Sequence, residues 1–500
     1  MSTTPGSRAA PHNLSERLAS AALKNRWLAR PAYHCGGETY RFADVYAGAA
    51  RAAAAFVAHG VGAGDRILLA VPDSIEFVWA FLGALRIGAI AVPVNTDLHP
   101  DELRRAGEIA EPAIVAHAPG LATSLPYYAL TTEDLQLGTA SPPPYAEVGP
   151  ETPAFALFTS GTTGNPRLCV HTHGDPAVFE QAIASVIGMT PDDICYSMSR
   201  LYFGYGLGVS LFFPLHRGAS TVLTPERATA QDAIPVLREH NVTVFAAQPS
   251  VYAQLVTHPD TAPLGRVRLA LCAGEVLPPT LETRLRRILG ERLLNIFGTT
   301  ETGHACVANT TTAHRKSTVG RVLAPYRLRI TDASGTPVPH GVAGRLELAG
   351  PTISLGVPSG NDLPRRTGES WYVTGDAASR DEDGFVHILG RLDDIEIVGG
   401  ANVHPGEVED LLLRHPAVHD AAVCSVRRRS GESGLRAYIV LATAADPSSV
   451  RAELLSAARE KLTWYKVPED VVFLAELPRN SFGKLMRREV RMLAAESPTP

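Results

Sequence analysis

Residues 66–94 read RILLAVPDSIEFVWAFLGALRIGAIAVPV. Arg66 to Val71 is an apolar run of strand length. Ile75 to Ile87 is long enough for a buried helix, and Ile90 to Val94 is a second buried strand. Short apolar strands separated by a helix of ten or more residues form a βαβ unit, in which the strands lie parallel and helices cover the sheet. Phe77 to Val94 is the most apolar window of the chain, but it contains Gly83, Arg86, Gly88 and Pro93. A membrane-spanning helix needs about 20 apolar residues without a central charge.

The alternation continues outward. Asp101 to Ala110 reads as a polar helix and Pro112 to His117 as a strand. Ala219 to Leu223, Thr243 to Ala247 and Arg268 to Ala273 are strand-like, with helices at Ala230 to His240 and Pro279 to Leu289. This predicts an α/β fold of mostly parallel sheets. Gly138 to Pro153 is a Pro- and Ser-rich connector. Tyr326 to Leu348 alternates in short strands with turns at Ser334-Gly335 and His340-Gly341, which predicts a small β subdomain. Beyond Gly390 to Asp394, helices at Pro405 to Arg414 and Val450 to Leu462 and strands at Ala421 to Ser425 and Arg436 to Leu441 suggest a small α+β unit.

The 500 residues are 45% hydrophobic and 19% charged, with a net charge of −5, which gives no sign of a nucleic-acid partner. The run Arg427 to Arg429 reads as a solvated loop. The six cysteines form no CxxC pair, which fits a reducing, cytoplasmic setting rather than a zinc or disulfide framework. Met1 to Leu14 is polar and lacks the apolar core of a secretory signal. No membrane partner is expected.

Four segments carry chemistry. Phe158 to Arg167, F-T-S-G-T-T-G-N-P-R, follows the apolar strand Ala154 to Phe158. Its glycines and hydroxyls suit a polyphosphate, since backbone N–H groups there can form an anion nest, although the loop read alone is equally a flexible turn. It is not a P-loop. Asn295 to Gly303, N-I-F-G-T-T-E-T-G, places Glu301 beside hydroxyls; Mg²⁺ takes one or two carboxylates plus substrate phosphates. Trp371 to Asp394 includes Thr374-Gly375-Asp376 and Arg391, either a ribose site or a surface ion pair. Its Asp381 to Gly384 turn reads as a hairpin. Leu477 to Lys484, L-P-R-N-S-F-G-K, ends in a lysine that can swing to a distant site.

In this order and at these separations, the segments resemble the adenylate-forming superfamily of acyl- and aryl-CoA ligases, peptide-synthetase adenylation domains and luciferases. The resemblance runs from about residue 15 to 490. The phosphate loop has Arg167 where lysine is usual, the Y-G-x-T-E motif has Phe297 for tyrosine, and Ile397 stands where many members have lysine. The resemblance implies that Thr159, Ser160, Gly161, Thr162, Thr163 and Gly164 hold the ATP phosphates. It places Gly274, Glu275 and Phe297 around the adenine, with Gly298 and Thr299 in the same nucleotide motif. Thr300 and Glu301 serve phosphate and Mg²⁺, with Glu301 as the metal ligand, and Asp376 and Arg391 hold the ribose. Lys484 bridges the carboxylate and the α-phosphate. The implied domains are residues 1–390, binding ATP and acid, a hinge at 391–394 with Asp393 as pivot, and a mobile unit at 395–500. That unit rotates after adenylation to present another face, including Gly399 and Gly400, for thioester formation.

Arg200 to Gly208, R-L-Y-F-G-Y-G-L-G, and Val244 to Leu255 resemble the benzoate- and hydroxybenzoate-CoA ligase branch. That implies an aromatic carboxylic acid packed against Phe203, Tyr205 and Gly206, with Ala247 and Ala273 leaving room for the ring. Tyr202, Phe203 and Tyr205 are otherwise ordinary core aromatics. Gln248, Tyr252 or His304 would meet a polar ring substituent. Coenzyme A is the expected thiol acceptor, with a separate carrier protein's phosphopantetheine or an amine as alternatives. Trp464 either stacks on a CoA adenine or packs internally. A nucleotide-binding homologue without activity is the contrasting reading, and Lys484, Glu301, Asp376 and the phosphate loop argue against it. Monomer and homodimer remain equally open.

Overall fold

A computed structural model describes residues 11–119, 125–137, 141–159, 167–226, 228–354, 370–394, 396–398, 401–427, 433–442, 445–479 and 485–496. The βαβ unit is present. Strand Arg66–Ala70 pairs in parallel with Ile90–Pro93, and helix Ile75–Arg86 connects them. They lie in a six-stranded sheet ordered Ala129–Thr131, Ile114–His117, Arg66–Ala70, Ile90–Pro93, Pro153–Thr159, Arg167–Thr172. The first five strands are parallel and the last is antiparallel. Arg86, the charge in the apolar window, is compensated by the connector. Its Nε donates to the Pro143 carbonyl at 2.8 Å, and its guanidinium lies 4.1 Å from the Tyr145 ring centre.

The second sheet has nine strands. Val244–Ala247, Leu269–Cys272 and Leu293–Gly298 lie side by side in parallel, and Ile194–Ser197 separates Val244–Ala247 from Ser220–Leu223. Its far edge is the hairpin Pro31–Cys35 and Glu38–Arg41, which the sequence reading passed over, as it did helices Leu14–Lys24 and Phe42–Ala58. Phe42–Ala58 crosses Ile75–Arg86 closely because small residues meet there. A Cβ on Gly83 would come within 2.9 Å of the Ala49 carbonyl, and one on Gly48 within 2.3 Å of the Trp79 indole. Phe77, Phe81, Phe155 and Phe212 fill the space between helix and sheets. Each such fully buried ring contributes about 1.5–3 kcal/mol relative to exposure.

Strands Arg327–Thr331, Gly344–Ala349, Tyr372–Arg380 and Val386–Arg391 form the expected β subdomain, fully antiparallel. The Asp381 to Gly384 turn is a hairpin. Gly384 N–H donates to the Asp381 carbonyl at 3.1 Å, and the Asp381 carboxylate accepts from Phe385 N–H at 2.8 Å. After the turn Leu392–Asp394 come the ribbon Glu396–Val398 with Ala401–Val403 and a three-stranded sheet of Val418–Arg427, Ser433–Leu441 and Asp470–Leu474. Helices Pro405–Leu412, Pro447–Lys461 and Arg487–Glu496 complete this segment. It has an apolar core of its own, around Val403, Leu412, Val423, Leu435, Ile439 and Val471. Among the described residues no helix is long and apolar enough to cross a membrane.

Candidate active site

The glycine- and threonine-rich segment joins two antiparallel strands, with Thr159 opposite Arg167. Ser160, Gly161, Thr162, Thr163 and Gly164 themselves lie outside the described residues, as do Gly399, Gly400 and Lys484. The return strand Arg167–Thr172 carries His171, which the sequence reading missed. Its ring is fully buried, 5.2 Å from Phe155 and 5.9 Å from Phe179 between centres. Nδ1 lies 3.0 Å from the Asp175 carboxylate and Nε2 lies 2.9 Å from the Thr300 carbonyl. Asp175 also accepts from Thr172 N–H at 3.1 Å and from its hydroxyl at 2.9 Å. The four-residue spacing in H-T-H-G-D was the available signal, but the partner that gives it meaning is 129 residues away.

Thr299, Thr300 and Glu301 form a rigid turn after strand Leu293–Gly298. Thr302 closes it: its hydroxyl accepts Thr299 N–H at 2.9 Å, and its single proton faces the Thr299 and His304 carbonyls at 2.9 and 2.8 Å. Gly298 has no room for a side chain, since a Cβ would sit 2.4 Å from the His304 carbonyl. The Glu301 carbonyl accepts Ser354 N–H at 2.8 Å, and its carboxylate bonds to the Tyr372 hydroxyl. Burial, and then the Glu301 charge, push both the Tyr372 phenol and the Cys169 thiol up. Glu301 therefore lies between the return strand Arg167–Thr172 and the strand leading to Asp376. One carboxylate amid hydroxyls fits a Mg²⁺ that shares its shell with phosphates and water. Among the described residues no cluster of three or more His, Cys, Asp or Glu side chains occurs.

Asp376 and Arg391 are register partners on neighbouring strands, 3.4 Å apart. Gly375 has φ +77°, and a Cβ there would lie 2.6 Å from the Arg391 guanidinium. Ala247, Ala273, Gly274 and Phe297 cluster where three adjacent parallel strands end or have just ended. Open α/β sheets bind ligands outside those carboxyl ends. Both Glu275 oxygens meet Ser250, from its N–H and its hydroxyl at 3.1 Å each, which anchors the segment after Gly274.

The aromatic, glycine-rich stretch packs against the Thr299 to Gly303 turn, since a Cβ on Gly204 would fall 2.3 Å from the Gly303 carbonyl. A Cβ on Gly206 would fall 2.1 Å from the Arg200 carbonyl. Tyr205 and His304 lie 6.0 Å apart between ring centres, and Phe213 meets His304 edge-on at 4.8 Å. Burial pushes His304 down to about 3, so its imidazole is neutral. Phe203 tilts against Tyr202 at 4.6 Å. The Tyr252 hydroxyl is committed to the Leu271 carbonyl at 3.0 Å within the core, so it is not free to meet a ring substituent. Ala247 belongs to that same core cluster, and Ala273 to the larger cluster on the other side. Asp393, the expected pivot, falls in the short turn Leu392–Asp394. Trp464 is 75% exposed, which removes the internal-packing reading.

Residues 20–357 match the family model described as AMP-binding enzyme, and residues 407–484 match that of the AMP-binding enzyme C-terminal domain. A p-hydroxybenzoic acid–AMP ligase of Mycobacterium tuberculosis is 34% identical over 493 residues, covering 97% of this chain and 69% of that protein. A 4-hydroxybenzoate–CoA/benzoate–CoA ligase of Rhodopseudomonas palustris is 33% identical over 459 residues, 86% of this chain and 85% of that one. The crystal structure of a benzoate CoA ligase from Burkholderia xenovorans LB400 superposes with a TM-score of 0.87 at 30% identity, covering 96% of this chain and 99% of the other. Over most of its length, and in both of the segments matched, this chain belongs to the AMP-binding enzyme family.

Proposed function

We propose that this protein activates an aromatic carboxylic acid with ATP and passes the acyl group to the thiol of coenzyme A. In the first half-reaction a carboxylate oxygen bonds to the α-phosphorus, the α–β bridge breaks and pyrophosphate leaves. In the second, the thiol sulfur bonds to the acyl carbon, the acyl–phosphate bond breaks, AMP leaves and the thiol proton passes to solvent. The chemistry needs positioning and stabilisation of charge on phosphoryl oxygens rather than a nucleophilic side chain.

The observation that carries this reading is the meeting of three motif segments at Glu301. His171 joins the phosphate hairpin to Thr300, and Tyr372 joins the approach to Asp376 to Glu301. Thr159 to Gly164 would hold the phosphates, Thr300 the transferred phosphoryl group, and Asp376 with Arg391 the ribose. Gly274, Glu275, Phe297, Gly298 and Thr299 would surround the base. Glu301 would hold Mg²⁺, which screens phosphate charge when bound. Lys484 would bridge carboxylate and α-phosphate, and residues 395–500 would move as a unit about Asp393 relative to residues 1–390. Phe203, Tyr205, Gly206, Ala247 and Ala273 would shape the ring pocket. Neutral His304 is the polar group beside Tyr205 for a ring hydroxyl or amine. A cytoplasmic setting, without membrane or nucleic-acid partner, goes with this reading.

A carrier protein's phosphopantetheine is the second candidate acceptor, favoured by the likeness to a relative named as an acid–AMP ligase rather than a CoA ligase. The deciding test is pyrophosphate release with ATP and Mg²⁺ over benzoates, cinnamates, amino acids and fatty acids, with and without CoA. Turnover with a benzoate that rises on adding CoA supports the aryl-CoA ligase. Turnover that CoA leaves unchanged moves the acceptor to a carrier protein or amine. No turnover with any acid refutes the enzyme reading.

A further inference from the structure

The dyad of His171 and Asp175 holds together two segments distant in sequence, and its hydrogen bonds fix more than geometry. Asp175 accepts from the Thr172 N–H on one oxygen and from the Thr172 hydroxyl on the other, as a carboxylate does, and it faces His171 Nδ1 at 3.0 Å. The Thr300 carbonyl, on the other side of the ring at 2.9 Å, is also only an acceptor. A neutral imidazole donates through one nitrogen and accepts through the other. Between a carboxylate and a carbonyl, both nitrogens must donate. The ring is enclosed by Phe155 and Phe179 and is fully buried, so water cannot take either place. Gly303 is part of the same enclosure, since a Cβ there would lie 2.1 Å from Phe179 and 3.0 Å from the His171 ring.

The structure assigns His171 as a doubly protonated positioning residue that, held by Asp175, clamps the Thr300–Glu301 turn to the return strand of the phosphate hairpin for binding of MgATP. This inference rests on the adenylating function proposed above for the same site. The hairpin and the Thr299 to Gly303 turn belong to different sheets, and a pair of segments that must grip one polyphosphate needs a fixed spacing. A charged donor makes a stronger bond to the carbonyl than a neutral one. The imidazolium also places a positive charge beneath the turn without exposing it.

The test uses the full chain. In protein labelled with ¹⁵N-histidine, the signal lost in His171→Gln identifies the ring, and both of its nitrogens are expected to carry a proton. In Asp175→Asn one of those protons should be lost. By calorimetry, the Kd for MgATP should rise about tenfold or more in His171→Gln and at least threefold in Asp175→Asn, with both variants folded by circular dichroism. If His171→Gln does not fold, Asp175→Asn and the wild-type spectra decide. A bare ring nitrogen in the wild type overturns the assignment, as does a Kd within twofold of wild type in the folded variants. A wild type that binds MgATP but activates no acid refutes the function proposed above, while the spectra and Kd still decide this assignment.

Discussion

The Arg391 guanidinium reaches the Asp376 carboxylate at 3.4 Å across one antiparallel strand pair, and the same nitrogen donates to the Thr374 carbonyl at 2.8 Å. The shorter bond fixes the guanidinium beside the carboxylate. Asp376 is largely buried, so a ligand hydroxyl donating to it would gain a charge-assisted bond worth about 1.5–3 kcal/mol. Asp376→Asn should therefore raise the KM for ATP about 10- to 100-fold while leaving the KM for the acid within about twofold. Equal changes in both would point to a structural role for the pair.

Asp73 offers a pH test. Burial pushes its carboxyl up to about 6, opposed by Arg200 and the Leu201 N–H. Arg200 opens the aromatic stretch and is itself tied to the carbonyls of Thr224 and Pro225. A folded-state value above the ordinary one means that the native chain holds the proton longer than the unfolded chain. This contribution to stability is thus present in full in acid and is lost as pH rises through about 6. Between pH 5 and 7 the wild type should lose about 1 kcal/mol relative to Asp73→Asn in urea unfolding. A difference that stays constant, or grows in the opposite direction, would contradict the shift.

Legibility differed by the range of the interactions involved. Helix Ile75–Arg86 and its flanking strands were readable because continuous apolar runs, broken by Pro72 and Gly88, fix type and length locally. Helix ends in the first half came within a residue, as with Pro100–Ala110 against the expected Asp101 to Ala110, whereas Pro447–Lys461 starts three residues before the expected Val450 and Pro405–Leu412 ends two before the expected Arg414. The hairpin Pro31–Cys35 with Glu38–Arg41 was not readable, since its place depends on pairing with Ser220–Leu223 far along the chain. The wide-turn helical segments Glu180–Ala184 and Gly208–Phe212 carry no local signature, and packing sets them. In the site, glycines and acidic residues marked the motifs. His171 and Tyr372 matter through partners far along the chain, and Asp175 through its hold on His171, so all three were overlooked.

On the proposed roles, Lys484 and Asp393 would separate the two half-reactions. Removing a positioned donor to a developing oxyanion costs about 10²–10³ in rate. Lys484→Ala should therefore lower ATP–pyrophosphate exchange by about that factor, and leave thioester formation from supplied acyl-adenylate within about threefold. Asp393→Pro, which restricts the backbone of the turn Leu392–Asp394, should do the reverse. Parallel loss of both half-reactions in either variant would remove the assigned role.

On the proposed function, Trp464 would report on the acceptor. It is 75% exposed in the short turn Trp464–Lys466, with Tyr465 against it at 5.5 Å in an edge-on contact. An exposed indole of this kind is a platform for a planar base, and stacking on an aromatic side chain is worth about 1–3 kcal/mol per base. Trp464→Ala should raise the KM for coenzyme A about fivefold to a hundredfold. It should leave ATP–pyrophosphate exchange unchanged, because the first half-reaction proceeds without the acceptor. Phosphopantetheine has no adenine, so its KM should not move in the same variant. An unchanged KM for coenzyme A would mean that Trp464 does not meet the nucleotide end of the acceptor, and would favour a carrier-bound thiol.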